Sequence, residues 1–182
     1  NTAIGLDEAG INDDRDMLQE MRLVLRAHRV PGMVEEDVPT MAQVLRMASL
    51  GGARTTPYGE TIGSLEVGKA ADLVLIDWNQ VSYPYLDPET PLLDAIIQRA
   101  KSEGVTMTMC DGEVIYQAGK FTRVDRAAAL KALHDDLQRA LGDDEVERRQ
   151  LSKALLPYAR QFYADYMDSE KHVPFYRQSA RF

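Results

Sequence analysis

The stretch Ile62–Trp78, "IGSLEVGKAADLVLIDW", decides which folds this chain can adopt. Its second half, Asp72–Trp78, is almost continuously apolar and stands between Gly68 and Asn79. A short apolar run bounded by turn residues reads as a strand buried on both faces. Working outward, residues 105–121, "VTMTMCDGEVIYQAGKF", form two alternating runs joined by Asp111-Gly112. That dipeptide accepts the positive φ angles of a type I′ turn, so the segment reads as a β-hairpin.

Helical patterns surround these strands. Asp14–His28 places Met17, Met21, Val24, Leu25 and His28 on one face. Acids at 13, 14 and 16 and arginines at 22, 26 and 29 complement its dipole, and Pro31-Gly32 stops it. Thr40 to Ser49 reads as a second helix, with Thr40 and Gln43 at capping-box spacing. Met41, Val44, Leu45 and Ala48 form its inward face, and Gly51-Gly52 its expected end. "YPYLDPETP" (83–91) reads as a loop and Leu92–Lys101 as a helix. From Asp125 to about Met167 the pattern is helical, broken near Gly142, with Pro157 expected to kink or restart it. The last residues, "SEKHVPFYRQSARF", have no period and read as a tail lying on another surface.

At the other end, Thr2–Leu6 reads as a short buried strand, followed by a polar turn over Asp7–Asp13 with Gly10 as its punctuation. It has no antiparallel partner nearby, and a strand followed by a helix is half of a repeated β/α unit. Its neighbours are expected from elsewhere, which suggests the tail end of a larger enzyme.

Composition narrows the function classes. Lys and Arg total 21 against 29 Asp and Glu, a net charge of -8 over 182 residues. With no basic cluster beyond Arg148-Arg149, the chain suits neither nucleic acid nor an anionic membrane. The single Cys110 excludes an internal disulfide and fits the cytoplasm. No apolar run approaches the roughly 20 residues of a membrane span, and no secretory leader is visible.

Few residues are chemically suggestive on spacing alone. Asp7 and Glu8 follow a strand that opens a β/α unit, where barrel enzymes place catalytic groups. A carboxylate there can bind a divalent cation or act as a base; the bland alternative is a pair of solvated loop acids. His28, His134 and His172 are far apart and lack metal-ligand spacing. Cys110 reads as a buried structural thiol. Lys69 lacks the glycine spacing of a phosphate-binding loop. The aromatics of 158–166 and Phe175-Tyr176 read as packing or oligomer contacts rather than a base-stacking platform.

Three stretches resemble a known family. Residues 47–77, "MASLGGARTTPYGETIGSLEVGKAADLVLID", are similar to the C-terminal signature of the amidohydrolase superfamily. The branch they resemble holds cytosine, guanine and S-adenosylhomocysteine deaminases and the triazine hydrolases. The hairpin 105–121 is similar to the one that closes those proteins. Residues 3–23, "AIGLDEAGINDDRDMLQEMRL", resemble the segment around the last barrel strand. The resemblance runs over residues 2–130 and leaves the final helices outside it.

It implies an α/β fold: the C-terminal portion of a (β/α)8 metal-dependent hydrolase barrel, part of a small β-sandwich, and a helical extension. The implied divisions are 1–60, 61–123 and 124–182. Asp7 matches the aspartate that binds the metal, zinc or iron, or sits beside it and takes a proton from the attacking water. Glu8, where the family often has Gly, and Asn12 match positions that touch substrate or shape the turn. The family's H-x-H pair, its later histidines and its acid/base Glu have no counterpart here, so this chain alone is expected to hold no catalytic metal. The implied reaction is hydrolysis of a non-peptide C–N bond in a small cyclic amidine or aminated heterocycle, with a chlorine leaving group possible on the same scaffold. The alternative is a structural or oligomerisation module built on the acidic helices and aromatic tail. The apolar residues of those helices, Leu137, Leu141, Leu151, Leu155, Phe162 and Tyr166, are expected to pack either on the missing barrel or on a second copy, and of the two a homo-oligomer is the expectation.

Overall fold

The computed structural model describes residues 2–7, 14–29 and 32–167. Asp16 opens the first helix, α1 (Met17–Ala27), by accepting a hydrogen bond from the Leu18 N–H. Only the later part of the acidic run is therefore cap, and the helix starts three residues after the expected Asp14. Its apolar stripe buries Met21 and Leu25, while His28 stands exposed at the C-cap. Thr40 and Gln43 form the capping box that starts α2 (Met41–Arg46). Leu45, expected inward, is exposed; Val44 is fully buried.

Here the structure corrects the sequence reading. Helix α2 does not end at Gly51-Gly52; it widens into a π-helical turn over Met47–Gly51 and stays helical through Ala53. The reason for Gly51 is space. A Cβ there would lie 2.3 Å from the Thr2 carbonyl oxygen, closer than real Cβ contacts allow. Gly51 thus lets the 2–7 segment cross the helix. That segment is not a strand. Its tie to the helix is a hydrogen bond from the Ile4 N–H to the Met47 carbonyl at 3.3 Å, since no described segment offers it a sheet edge.

The remaining elements are β1 (Leu73–Ile76), α3 (Trp78–Ser82), α4 (Leu92–Arg99), β2 (Val105–Cys110), β3 (Glu113–Gln117), β4 (Lys120–Phe121), α5 (Arg126–Leu137) and α6 (Asp143–Met167). Helix α3, capped by Asp77, was not anticipated. The four strands form an antiparallel sheet in the order β1-β2-β3-β4. Asp111 (φ 48°) and Gly112 (φ 79°) make the expected tight turn. Asp72 and Ala71 grip it: the Asp111 N–H donates to Asp72 Oδ1 (2.7 Å) and the Gly112 N–H to the Ala71 carbonyl (3.1 Å). A second turn with positive φ, Ala118-Gly119, connects β3 to β4.

Strand β1 is shorter than expected and is not buried on both faces. Its neighbours Val74 and Leu75 point to opposite faces of the sheet, and each is half exposed. Cys110 is also exposed, contrary to expectation, because it ends β2 beside the turn.

The core lies among helices rather than under the sheet. Met21, Leu25, Val44 and Ile97 form one cluster, with Ile4, Leu18 and Met41 packed against it. Val81, Ala95 and Ala100 form a second, and Leu18 touches both. Arg22 ties α1 to the end of α4 by donating to the carbonyls of Ala100 (2.7 Å) and Ile97 (3.3 Å). Those are last-turn carbonyls that the helix itself cannot satisfy.

The described chain forms two compact units, the first reaching Val124 and the second starting at Asp125. In the second, α6 runs through Pro157 without a break, so the proline does not restart the helix. Among the described residues no helix is long and apolar enough to cross a membrane.

Candidate functional site

Asp7 follows Ile4 by three residues in the described segment 2–7. Ile4 contributes its side chain to the Val44–Ile97 cluster and its N–H to Met47, so the carboxylate three residues on is attached to the helical core. Asp7 itself is exposed and has φ 53°, the left-handed region that non-glycine residues enter at a cost. Residues held in that region concentrate at functional sites, where surrounding packing fixes them. Beyond it, Arg15 also has positive φ (50°), and the Asp16 N–H bonds back to Asp14 Oδ1 at 3.2 Å. Glu8 and Asn12, the expected substrate contacts, lie outside the described residues, as do His172, Phe175 and Tyr176.

The other chemically suggestive residues are not brought to Asp7. His28 closes α1, His134 sits on exposed α5, and Cys110 ends a sheet strand. Lys69 pairs with Glu66 (3.0 Å) and donates to the Ser64 hydroxyl (2.6 Å). The Ser64 hydroxyl first, and Lys69 second, hold the Glu66 carboxyl below its ordinary value. This is a structural clasp in the "GSLEVGK" turn, where Gly68 has φ 93°.

One feature escaped the sequence reading. Thr2, Gln43, Arg46, Met47, Gly51 and Arg54 line an open groove of about 320 Å³. It lies at the Thr2 end of the segment that Asp7 terminates. The signal available was the i, i+8 spacing of the two arginines on a helix then expected to stop at Gly51.

A divalent metal needs more than this chain's described residues provide. A catalytic zinc takes three protein ligands and keeps one open position. Among the described residues no three His, Cys, Asp or Glu side chains converge. The donor set therefore does not fit a metal by itself; Asp7 offers one hard carboxylate donor.

The amidohydrolase family's sequence profile matches residues 1–115. The chain belongs to the amidohydrolase family. It is 35% identical over 143 residues to the 5-methylthioadenosine/S-adenosylhomocysteine deaminase of Desulfovibrio desulfuricans, covering 77% of this chain and 31% of that protein. An adenosine deaminase from Xanthomonas campestris, solved with bound zinc, superposes with a TM-score of 0.63 at 33% identity. That match covers 73% of this chain and 29% of the other. A triazine hydrolase variant shares the fold at 22% identity and a TM-score of 0.61, over 72% of this chain and 28% of that one. This amidohydrolase chain thus spans under a third of the length of the relatives it matches. The α/β architecture expected from the sequence holds, and the family resemblance is established.

Proposed function

We propose that this chain supplies the last part of a metal-dependent hydrolase that deaminates an adenine-bearing nucleoside. In this reading, residues 1–60 are the final β/α unit and following helix of a (β/α)8 barrel. Residues 61–123 belong to a small β-sandwich, and 124–182 form a helical extension. The half-exposed faces of β1 support the sandwich, because a sheet with both faces uncovered needs further layers.

The observation that carries the chemistry is Asp7: a left-handed, exposed carboxylate inside the family match, at the end of a segment packed on the core. Hydrolytic deamination joins a water oxygen to C6 of the purine and releases the amine as ammonia. Asp7 takes a proton from the attacking water and passes it to the departing nitrogen, so one carboxylate serves as base and then as acid. Glu8 and Asn12 contact the substrate. A divalent ion, zinc or iron, belongs to the whole protein's site, with Asp7 as one of its ligands. The adenine nucleoside is chosen over a triazine or a chlorinated ring because the relatives above 30% identity are named for adenosine compounds.

The test is Asp7→Asn in the whole protein that carries this segment, assayed on S-adenosylhomocysteine and 5′-methylthioadenosine. The adenine-to-hypoxanthine absorbance change and ammonia release report turnover. Loss of at least about 10²–10⁴-fold in rate, typical of removing a general base, is expected with the melting temperature unchanged. Near-normal turnover by the variant would remove Asp7 from the mechanism. A wild-type enzyme idle on adenine nucleosides but active on another aminated ring would overturn the substrate.

A further inference from the structure

The groove at the Thr2 end of segment 2–7 has a chemistry that the Asp7 reaction does not use. Gln43, Arg46 and Arg54 line it with hydrogen-bond donors, and no acid lines it. The π-turn is what brings the arginines together. Eight residues of regular α-helix turn through about 800°, which would set Arg54 about 80° away from Arg46. Within the π-turn the Gly52 N–H reaches back five residues to the Met47 carbonyl, so the turn takes up one extra residue. The interval then acts as about seven residues, close to two α-helical turns, and returns Arg54 to the face of Arg46 about 10 Å further along the axis. The Arg54 N–H still bonds the Leu50 carbonyl at 3.2 Å, so the helix carries it that far. Met47 and Gly51 line the groove between the two arginines.

Elsewhere in the first unit, Arg22, Arg26, Arg99 and Arg123 each donate to an acceptor. Arg46 and Arg54 are exposed, and among the described residues neither guanidinium has a hydrogen-bond or ion-pair partner. The Gln43 side-chain oxygen accepts from the Thr40 N–H at 2.9 Å, which leaves its NH2 group as the part still open to a ligand. The groove therefore presents two guanidinium forks and an amide NH2, in a chain whose net charge is -8. A guanidinium fork matches a planar carboxylate with two parallel N–H···O bonds. We propose that Arg46, Arg54 and Gln43 form a carboxylate-binding site. The carboxylate has two sources, an acidic side chain in the remainder of the protein or a free organic acid in solution. The recognising chemistry is the same for both, and it does not depend on the reaction proposed above.

Nuclear magnetic resonance on the 182-residue chain tests the site with sodium acetate, the ionic strength being held constant with chloride. The Arg46 and Arg54 Nε–H signals and the Gln43 NH2 signals are expected to shift together along one saturable curve. Arg126 on α5, also exposed, should show no saturable shift. Arg46→Gln/Arg54→Gln should weaken binding, read at the Gln43 signals, by at least about 10-fold, because the charge-assisted bonds are gone. Circular dichroism checks that helix content survives. Shifts no different from those of Arg126, or a double variant that binds like the wild type, would overturn the site. The whole protein then separates the two sources. Arg46→Lys and Arg54→Lys keep the charge and supply an amine, which a carbodiimide condenses with a touching carboxylate into an amide, the lost oxygen leaving on the urea. A cross-link from position 46 or 54 to an acid outside residues 1–182, read by mass spectrometry, supports the site with a protein carboxylate as its occupant. No cross-link, with acetate still bound by the whole protein, supports it with a free acid. Neither cross-link nor acetate binding in the whole protein would overturn the proposal.

Discussion

Gly51 and Gly52 are adjacent, both helical, and predicted to respond oppositely to the same change. Alanine is favoured over glycine in a helix by about 0.8–1 kcal/mol, and both substitutions gain this equally. They differ in what the new methyl meets. At Gly52 nothing lies within 4 Å of a built Cβ, so Gly52→Ala should raise stability by a few tenths to about 1 kcal/mol. At Gly51 the Cβ would sit 2.3 Å from the Thr2 carbonyl oxygen and 3.3 Å from that of Arg46. Thr2 must retreat, and the Ile4-to-Met47 hydrogen bond is strained or lost. Overpacking costs about 1–3 kcal/mol and the hydrogen bond about 1 more. The variants should therefore differ by about 2–4 kcal/mol, or roughly 5–15 °C in melting temperature for a unit of this size.

The assay is paired thermal denaturation followed by circular dichroism. Because helix propensity cancels between the two, the difference reports the crossing of segment 2–7 over α2. If Asp7 has the role proposed for it, the same shift in the whole protein should also slow turnover, since a displacement of about 1 Å can cost on the order of 10²-fold in rate. If Gly51→Ala melts as high as Gly52→Ala, the segment does not cross where the structure puts it.

Other substitutions probe separate parts of the argument. Gly112→Val forces a β-branched residue to φ 79°, and should cost about 1 kcal/mol or more in a melting experiment without changing kinetic constants. Asp72→Ala removes the acceptor of the Asp111 N–H and should cost about 1 kcal/mol in the same experiment; no loss would mean that Ala71 alone holds the turn. The Glu66 carboxyl, depressed by Ser64 and Lys69, contributes stability above the ordinary value of 4.5 and loses it as pH falls through the lower folded value. The melting-temperature gap between wild type and Glu66→Gln should therefore shrink as pH drops below 4.5, and a gap independent of pH would mean the clasp is not electrostatic.

Locally encoded features were legible in the sequence. The Thr40–Gln43 capping box, the Met21–Leu25 stripe and the Asp111-Gly112 turn each depend on residues within one or two turns of one another. Features set by distant segments were not. Gly51 reads as a helix stop until Thr2 is seen crossing it. Helix α3 was hidden because "WNQVS" has little helical pattern, although Asp77 gives the cap signal. The Ala118-Gly119 turn was missed because alanine rarely takes positive φ. Asp7 was marked locally only by its place after Leu6, a position equally open to a solvated loop acid, and it was the family resemblance that favoured a functional reading.

What holds Asp7 explains that last difficulty. In a parallel barrel a strand-end carboxylate is positioned by hydrogen bonds to neighbouring strands. Here the described chain gives segment 2–7 one backbone bond to α2 and one large apolar anchor, Ile4, among side chains from α1, α2 and α4. Those helices are joined in turn by Arg22, whose donation to the Ala100 carbonyl ties residues 78 apart. The orientation of the carboxylate therefore depends on the packing of Val44 and Ile97 and on the absence of a side chain at Gly51. None of these residues is chemically reactive. Truncating Ile97 to Ala should accordingly cost about 2–5 kcal/mol of stability and also loosen the cluster against which Ile4 packs. Hydrogen exchange at the Ile4 amide reads this directly: protection should fall in the variant by more than at β2, whose ladder lies outside that cluster. Equal loss at both would mean the helical core and the sheet open together and that Ile97 does not hold the Asp7 segment specifically.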